Sequence, residues 1–144
     1  ITPESISKLS VEEIKAIGTS TAKANYIKGA ALAVLSGELD FTKFSDRTDA
    51  AALKELISLH SIGTWTAKMY LIFVLDRQDI LPFEDIAFLQ SYKWLYKTED
   101  VSRASIEKKC KKWKPYSSIA ARFLYRALDM GFTKKEFHLF KRND

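Results

Sequence analysis

Cysteine and histidine are scarce in this sequence, which limits the cross-links and metal sites that it can form. Cys110 is the only cysteine among 144 residues, which excludes an internal disulfide framework and a cysteine-ligated cluster. The two histidines, His60 and His138, are too few and too far apart to predict a zinc site. We therefore expect neither a metal nor another cofactor.

Long apolar runs are also absent. No run approaches the roughly 20 residues that a helix needs to cross a bilayer, so we predict no contact with a membrane. The length suits one compact domain. The net charge is +5, which makes polyanions plausible partners.

Cys110 lies among lysines in "EKKCKKWK". These would favour a thiolate if the residue were exposed; the alternative is an ordinary helix residue in a reducing compartment.

The sequence has no useful stretch of alternating apolar and polar residues and no Asn-Gly or Asp-Gly turn, so it lacks the signals of β-hairpins. Helix signals are frequent instead: Ser10 and Glu13 form a capping box, and Gly18 and Gly37 follow apolar residues at helical spacing. We predict an all-α fold. The first predicted helices begin near Pro3, Val11, Ser20 and Asp49. Further helices cover residues 64–75, about 85–96 and about 102–113, another ends at Met130, and Thr133 caps the last one.

A short turn with a glycine, residues 60–63, separates two of the predicted helices. Such a hairpin exposes unpaired backbone amides beside a positive helix terminus, which suits a phosphate. Gly63 permits the turn and lets a sugar-phosphate backbone approach closely. The candidate phosphate-binding residues are Ser61, Ile62, Gly63, Thr64, Thr66 and Lys68. The alternative is a plain corner between two helices.

Asp85 is the candidate catalytic carboxylate. It follows Gly63 by 22 positions at the predicted start of a helix, where cap amides and the helix dipole favour an ionised carboxylate. The connection before it is long enough to return it beside the hairpin. An aspartate here can equally be only a helix cap, and Glu84 is a rival for either role.

Three stretches in a fixed order carry a family resemblance: "LISLHSIGTWTAKMYLIFVL", "ILPFEDIAFLQ" and "KKWKPYSSIAARFLYRALD". The order of hairpin, aspartate and Trp-Lys-Pro-Tyr resembles the helix-hairpin-helix DNA glycosylases, most closely the 3-methyladenine DNA glycosylase II branch. The resemblance covers essentially the whole chain. One departure is Ser117, because an arginine usually follows Pro-Tyr in the family.

The resemblance implies base-excision repair by a monofunctional hydrolase acting on alkylated bases flipped out of double-stranded DNA. The bifunctional members carry a lysine at the position of Trp65, so water is the expected nucleophile here. Asp85 would stabilise the sugar cation, activate the water, or do both. Trp65, Met69 and Tyr125 would line the base pocket; for each alone, core packing is the alternative. No cofactor is implied.

The resemblance also implies an organisation: two helical lobes with a cleft between them, residues 1–84 bearing the hairpin and residues 85–144 following, as one catalytic unit. Family members have a further N-terminal helical segment that carries the residue wedged into the DNA stack. We expect residues 1–144 to lack it. We expect an intracellular protein, in the cytoplasm or nucleoid if the source is a bacterium. The alternative function is a non-catalytic helix-hairpin-helix module that only binds DNA.

Overall fold

The structure is a computed structural model that describes residues 1–59 and 62–137. All the regular secondary structure of these residues is helical, so the all-α prediction is confirmed. None of their helices has the length and apolar character that crossing a bilayer requires. The chain divides into two compact units, residues 1–75 and residues 76–144.

The first unit contains five α-helices and a short 3-10 helix, Phe41–Phe44. Hydroxyl groups begin the early helices, since Ser10, Ser20 and Thr48 each accept a backbone N–H from the first turn. Helix α3 packs on α1 and α2, and α4 packs on α5. The helices are α1 (Pro3–Ser7), α2 (Val11–Ala16), α3 (Thr21–Leu35), α4 (Asp49–Ser58) and α5 (Thr64–Phe73).

Helix α5 is shorter and less buried than the predicted 64–75. It buries Ala67, Leu71 and Ile72, whereas Phe73 and Val74 are exposed. The helix ends at Phe73, and the chain then turns through Asp76, whose φ of 51° lies in the left-handed region. An unbroken apolar stretch predicts burial on every side, but a helix of this unit packs on one side only.

The second unit contains α6 (Ile86–Tyr96), α7 (Arg103–Cys110), a 3-10 turn (Lys111–Trp113) and α8 (Ser117–Asp129). Helices α6 and α8 pack together. The core of this unit consists of Phe88, Tyr92, Ile106, Cys110, Ala121 and Leu124. Burial raises the pKa of the Cys110 thiol to about 11, so it stays protonated at neutral pH. The prediction of an ordinary helix cysteine is therefore correct, and that of an exposed thiolate is wrong.

The structure differs from the predicted elements at the C-terminal end. The helix expected from Thr133 is a single 3-10 turn, Phe132–Lys134, and Lys135 is extended. Trp94 explains the difference, because its indole N–H donates to the Lys135 carbonyl at 2.7 Å and its ring packs against Phe137. That contact uses a carbonyl which a continuing helix would need. Residues 138–144 lie outside the described residues.

The boundary between the compact units lies earlier in the chain than the predicted lobe boundary at residues 84 and 85. The connection from Asp76 to Glu84 belongs to the second unit because its backbone and side chains bond to the start of α8. Ser118, for example, donates its backbone N–H to the Gln78 carbonyl at 2.9 Å. The assignment of separate functional roles to two lobes stays a prediction.

Candidate active site

The start of α5 carries the candidate phosphate site. Gly63 is the N-cap residue and makes no side-chain cap. The backbone approaches this point through a turn in which the Ile62 N–H donates to the Leu59 carbonyl at 3.0 Å. The residue that begins the helix therefore has no side chain to cap the amides of the first turn, and the amino end of a helix favours an anion. Ser61, a predicted contributor, and His60 lie outside the described residues.

Gly63 is not required by the conformation of the turn. Its φ is −79° and its ψ is 165°, values that any residue adopts, which corrects the expectation that glycine is needed to permit the turn. A Cβ atom at this position would meet no heavy atom within 4 Å. The absence of a side chain instead leaves open space in front of the amides, which is what the close approach of another backbone requires.

The other predicted phosphate-binding residues differ in accessibility. Thr64 and Thr66 are exposed on the first turn of α5, and Ile62 is partly buried. Lys68 is only 7% exposed. Its burial is unexpected for a surface cation and favours a structural role, so its contact with phosphate stays a prediction.

A partly open pocket of about 560 Å³ adjoins the hairpin within the first unit. It is lined by Tyr26, Ile57, Ser58, Leu59, Ile62, Gly63 and Thr66. The glycine and the threonine of the candidate phosphate site thus lie on the wall of a concave, mixed polar and apolar surface.

Asp85 begins helix α6, as predicted. It is 7% exposed, and its side chain accepts the Phe88 N–H at 2.8 Å. Its own N–H donates to the Pro82 carbonyl at 3.1 Å, which fixes the turn before the helix. The neighbouring Glu84 is exposed. Asp85 is therefore the cap, and it is a buried carboxylate at the positive end of a helix, where a negative charge is stabilised.

Tyr125 on α8 lies beside Asp85, although Asp85 is 40 positions earlier in the chain. Burial raises the pKa of the Tyr125 phenol well above its ordinary value. The nearby negative charge of Asp85 raises it further. The phenol therefore stays protonated at any physiological pH. The sequence predicted both residues for one site, and the structure brings these two together in the second unit.

The connection before Asp85 is held by a buried network that sequence analysis missed. Ser118 is fully buried, and its hydroxyl accepts the Ile80 N–H at 2.9 Å. Asp79 accepts the Ser117 hydroxyl, the Ser117 N–H at 3.4 Å, and a salt bridge from Lys114 at 3.1 Å. A carboxylate from a distant loop thus caps the amino end of α8.

These contacts determine the charge state of Asp79. Burial alone would raise its pKa, but the hydrogen bonds from Ser117 and Lys114 outweigh burial and hold the pKa of Asp79 below 3.8. Ser117 stands where the resemblance places an arginine, so in this chain a neutral hydroxyl and a separate lysine partner the aspartate. The only sequence signal was the pair of serines after Pro115 at the start of a helix.

The predicted pocket residues are divided between the units. Trp65 is 49% exposed and Met69 half-buried on α5, in the first unit. Asp85 and Tyr125 belong to the second unit. That Trp65, Met69 and Tyr125 line one base pocket, with Asp85 as the catalytic residue, stays a prediction. Within the described ranges, histidine, cysteine, aspartate and glutamate side chains form no group of three that could hold a metal ion.

Residues 1–115 match the family described as HhH-GPD superfamily base excision DNA repair protein. The chain belongs to this superfamily. The resemblance found in the sequence is therefore confirmed.

Relatives within the HhH-GPD superfamily include DNA-3-methyladenine glycosylase 1 of Schizosaccharomyces pombe, which is 28% identical over 127 residues. That match covers 87% of this chain and 56% of the relative. DNA-3-methyladenine glycosylase of Bacillus subtilis is 30% identical over 126 residues, with 87% of this chain and 42% of the relative covered. The chain thus spans about half the length of the curated relatives that it matches.

Among solved structures, the crystal structure of DNA-3-methyladenine glycosidase from Bacillus halodurans is similar, with a TM-score of 0.77 and 30% identity. The match covers 94% of this chain and 63% of the other. A Schizosaccharomyces pombe 3-methyladenine DNA glycosylase in complex with abasic DNA gives a TM-score of 0.80 at 27% identity, over 89% of this chain and 63% of the other. These values extend the HhH-GPD assignment from sequence to fold.

Proposed function

We propose that this chain carries the catalytic unit of a monofunctional DNA glycosylase that hydrolyses the N-glycosidic bond of alkylated bases, 3-methyladenine among them. Its superfamily is one of base-excision repair proteins, and the similar proteins of established name are 3-methyladenine glycosylases. The observation that carries the proposal is the buried Asp85 at the start of α6 with the protonated Tyr125 beside it.

The substrate is double-stranded DNA, bound through its phosphates at the hairpin. The amino end of α5, where Gly63 has no capping side chain, and the open space at Gly63 support this proposal. Amides recognise phosphate without reading base sequence, so the hairpin positions the enzyme on any duplex. One similar structure is a complex with abasic DNA, which is the product that base removal leaves.

Asp85 acts on the sugar from which the base leaves. The transition state of glycosidic cleavage has oxocarbenium character, and a buried carboxylate stabilises that positive charge more strongly than a solvated one. The same carboxylate can orient or accept a proton from the attacking water. Tyr125 acts as a positioning residue in this proposal: its protonated phenol lies near Asp85, and a hydrogen bond formed to the carboxylate during the reaction would limit the orientations open to it. An alkylated base already carries positive charge and leaves neutral, so no general acid is required.

The flipped base is held by the exposed indole of Trp65, with Met69 and Tyr125 as further wall residues. A cationic base is attracted to the negative face of an indole ring by about 0.5–2 kcal/mol. Extruding a base costs a few kcal/mol, and a damaged base with weakened pairing costs least. Stacking on Trp65 therefore favours alkylated bases over normal ones.

Water is the nucleophile, since the position of the lyase lysine is occupied by Trp65. Lys68 lies one turn further along α5 but is buried. Borohydride should therefore trap no covalent adduct between the protein and alkylated DNA, and the strand should break only after alkali. A bifunctional glycosylase/lyase serves as the positive control; a trapped adduct on this chain would place it in the bifunctional branch.

The deciding experiment compares Asp85→Asn with Glu84→Gln on methylated duplex DNA. We expect Asp85→Asn to abolish release of methylated adenine and to leave DNA binding largely unchanged, and Glu84→Gln to retain activity. Inactivity of Glu84→Gln with activity of Asp85→Asn would move the catalytic role by one residue. Wild-type binding to duplex without release of any alkylated base would favour the alternative, a helix-hairpin-helix module that only binds DNA.

A further inference from the structure

The positive charge of this chain is concentrated in one short segment. Residues 107–114, "EKKCKKWK", contain five lysines and one glutamate, a net charge of +4. The whole chain has a net charge of +5, so the other 136 residues together carry +1. The segment covers the end of α7 and the 3-10 turn that follows it.

Two acidic groups near this segment are used by other cations, and a third, Asp100, bonds to Ser102 and feels the charge of Lys109 without forming an ion pair with it. Glu107, its only carboxylate, bonds to Arg103 at 2.9 Å, and Asp79 bonds to Lys114 at 3.1 Å. In the part of the chain that the structure describes, the remaining four lysines have no carboxylate as an ion-pair partner. We call these four residues the lysine ridge: Lys108, Lys109, Lys111 and Lys112.

The core of the second unit holds the lysine ridge in place. Ile106 and Cys110 are fully buried, so the residues between and after them are directed outward at helical spacing. Lys109 and Lys112 both lie over the Tyr96 ring, with their ammonium groups 5.5 and 5.3 Å from its centre. The Tyr96 hydroxyl donates to the Lys109 carbonyl at 3.1 Å, which fixes the ring against the end of the helix.

This arrangement gathers charges that repel one another. Two ammonium groups share one aromatic ring, and an anion placed between them would relieve their repulsion. Favourable interaction with the dipole of α7 explains only two of the four lysines. Lys108 and Lys109 lie in the last turn of α7, where cations complement the helix dipole. Lys111 and Lys112 lie beyond the helix end, where this benefit falls off.

We propose that the lysine ridge is a second DNA-binding surface, which contacts the phosphate backbone of duplex DNA independently of the hairpin. The proposal rests on the proposed function in so far as DNA is the substrate. Lysines are point charges that bind phosphate without the bidentate geometry that reads a base edge. The ridge therefore binds damaged and undamaged duplex alike. It supplies the salt-dependent, sequence-independent attraction by which a repair enzyme associates with DNA and moves along it.

The test is the salt dependence of binding to an undamaged duplex, measured by fluorescence anisotropy. The variant replaces the three exposed ridge residues by glutamine: Lys108→Gln, Lys111→Gln and Lys112→Gln. The matched control replaces three exposed lysines of the first unit: Lys8→Gln, Lys15→Gln and Lys23→Gln. Both variants lose the same charge. Glutamine favours helices about as well as lysine, and circular dichroism melting verifies that each variant folds.

We expect the logarithm of the binding constant to fall less steeply with the logarithm of salt in the ridge variant. Each phosphate contact contributes a slope of about 0.9, so the loss of two or three contacts reduces the slope by about 2–3. The control should change the slope much less. Equal slopes for the two variants, or a ridge variant that loses affinity for heparin but none for duplex DNA, would overturn the proposal.

The same proteins separate this proposal from the proposed function. Undamaged duplex requires no excision, so a reduced slope supports the ridge even if the wild type releases no alkylated base. In the opposite case, unchanged salt dependence together with excision by the wild type rejects the ridge and leaves the glycosylase assignment in place.

Discussion

The Ser118 hydroxyl accepts a hydrogen bond from the Ile80 N–H at 2.9 Å, across 38 positions of sequence. Both residues are buried. The bond ties the start of α8 to the connection that ends at Asp85, so a helix far along the chain helps to fix the candidate catalytic carboxylate. Tyr125 on the same helix contacts Asp85 itself. Helix α8 therefore acts on Asp85 both through the connection and directly.

Ser118→Ala should destabilise the protein by about 1–3 kcal/mol, because it leaves the buried Ile80 N–H without its acceptor. The free energy of unfolding in urea measures this effect. Ser36→Ala is the control: Ser36 is an exposed helix-end serine that donates to the Ala33 carbonyl. Equal stability losses in the two variants would mean that the contact between α8 and the connection contributes little.

Asp79 makes the stability of the second unit depend on acid pH. Its pKa lies below 3.8 in the folded protein, so its contribution is fully present above 3.8 and is lost as the pH falls through the folded-state pKa. Asp79→Asn should lack this component, and its unfolding free energy should therefore fall less than that of the wild type on acidification. Urea unfolding at several pH values on either side of 3.8 gives the comparison.

Asp129→Asn, at the end of α8, serves as the control and should retain the wild-type pH dependence. Identical pH profiles for wild type and Asp79→Asn would contradict the assignment.

Local signals were sufficient to predict where several helices begin, because a cap depends on residues three positions apart. Ser10, Ser20 and Asp85 each cap the helix that the sequence predicts. Burial on α5 was not predictable in this way. From Met69 to Leu75 the sequence is apolar throughout, so periodicity could not select the side that faces the core.

Long-range contacts were equally invisible in the sequence. The bonds of Ser117 to Asp79 and of Ser118 to Ile80 join residues 38 positions apart, and no spacing rule relates such pairs. The resemblance placed Tyr125 near the site but did not show that its phenol lies beside the Asp85 charge, because a phenol in a core and a phenol near a carboxylate have the same sequence pattern.

Tyr125→Phe tests the role of the phenol without removing the ring. The variant loses the hydroxyl that the proposed mechanism uses to orient Asp85 and keeps the packing of the aromatic side chain against the core of the second unit. A hydrogen bond to a charged group contributes about 1.5–3 kcal/mol, so kcat should fall by roughly tenfold or more. KM and duplex affinity should be unchanged, since the phenol acts through Asp85. Leu95→Ala, which truncates another side chain packed against the same core, controls for loss of packing. A change in KM alone would assign Tyr125 to substrate binding.

Substitutions of Gly63 should weaken DNA binding without a comparable loss of stability. Its backbone conformation is open to any residue, and a Cβ would meet no atom of the protein within 4 Å. Gly63→Ala changes only the cap preference and should cost at most about 1 kcal/mol of unfolding free energy. Gly63→Val places a larger side chain in the open space in front of the amides of α5. If a phosphate occupies that space, affinity should fall from glycine to alanine to valine, and by the same factor for damaged and undamaged duplexes.

Gly18→Ala, in the same unit, is the contrasting control. Its φ of 101° strains any side chain, so stability should fall while the affinity of the folded protein is retained. Equal affinities of the wild type, Gly63→Ala and Gly63→Val at low salt would mean that the hairpin is only a corner between α4 and α5 and does not bind phosphate.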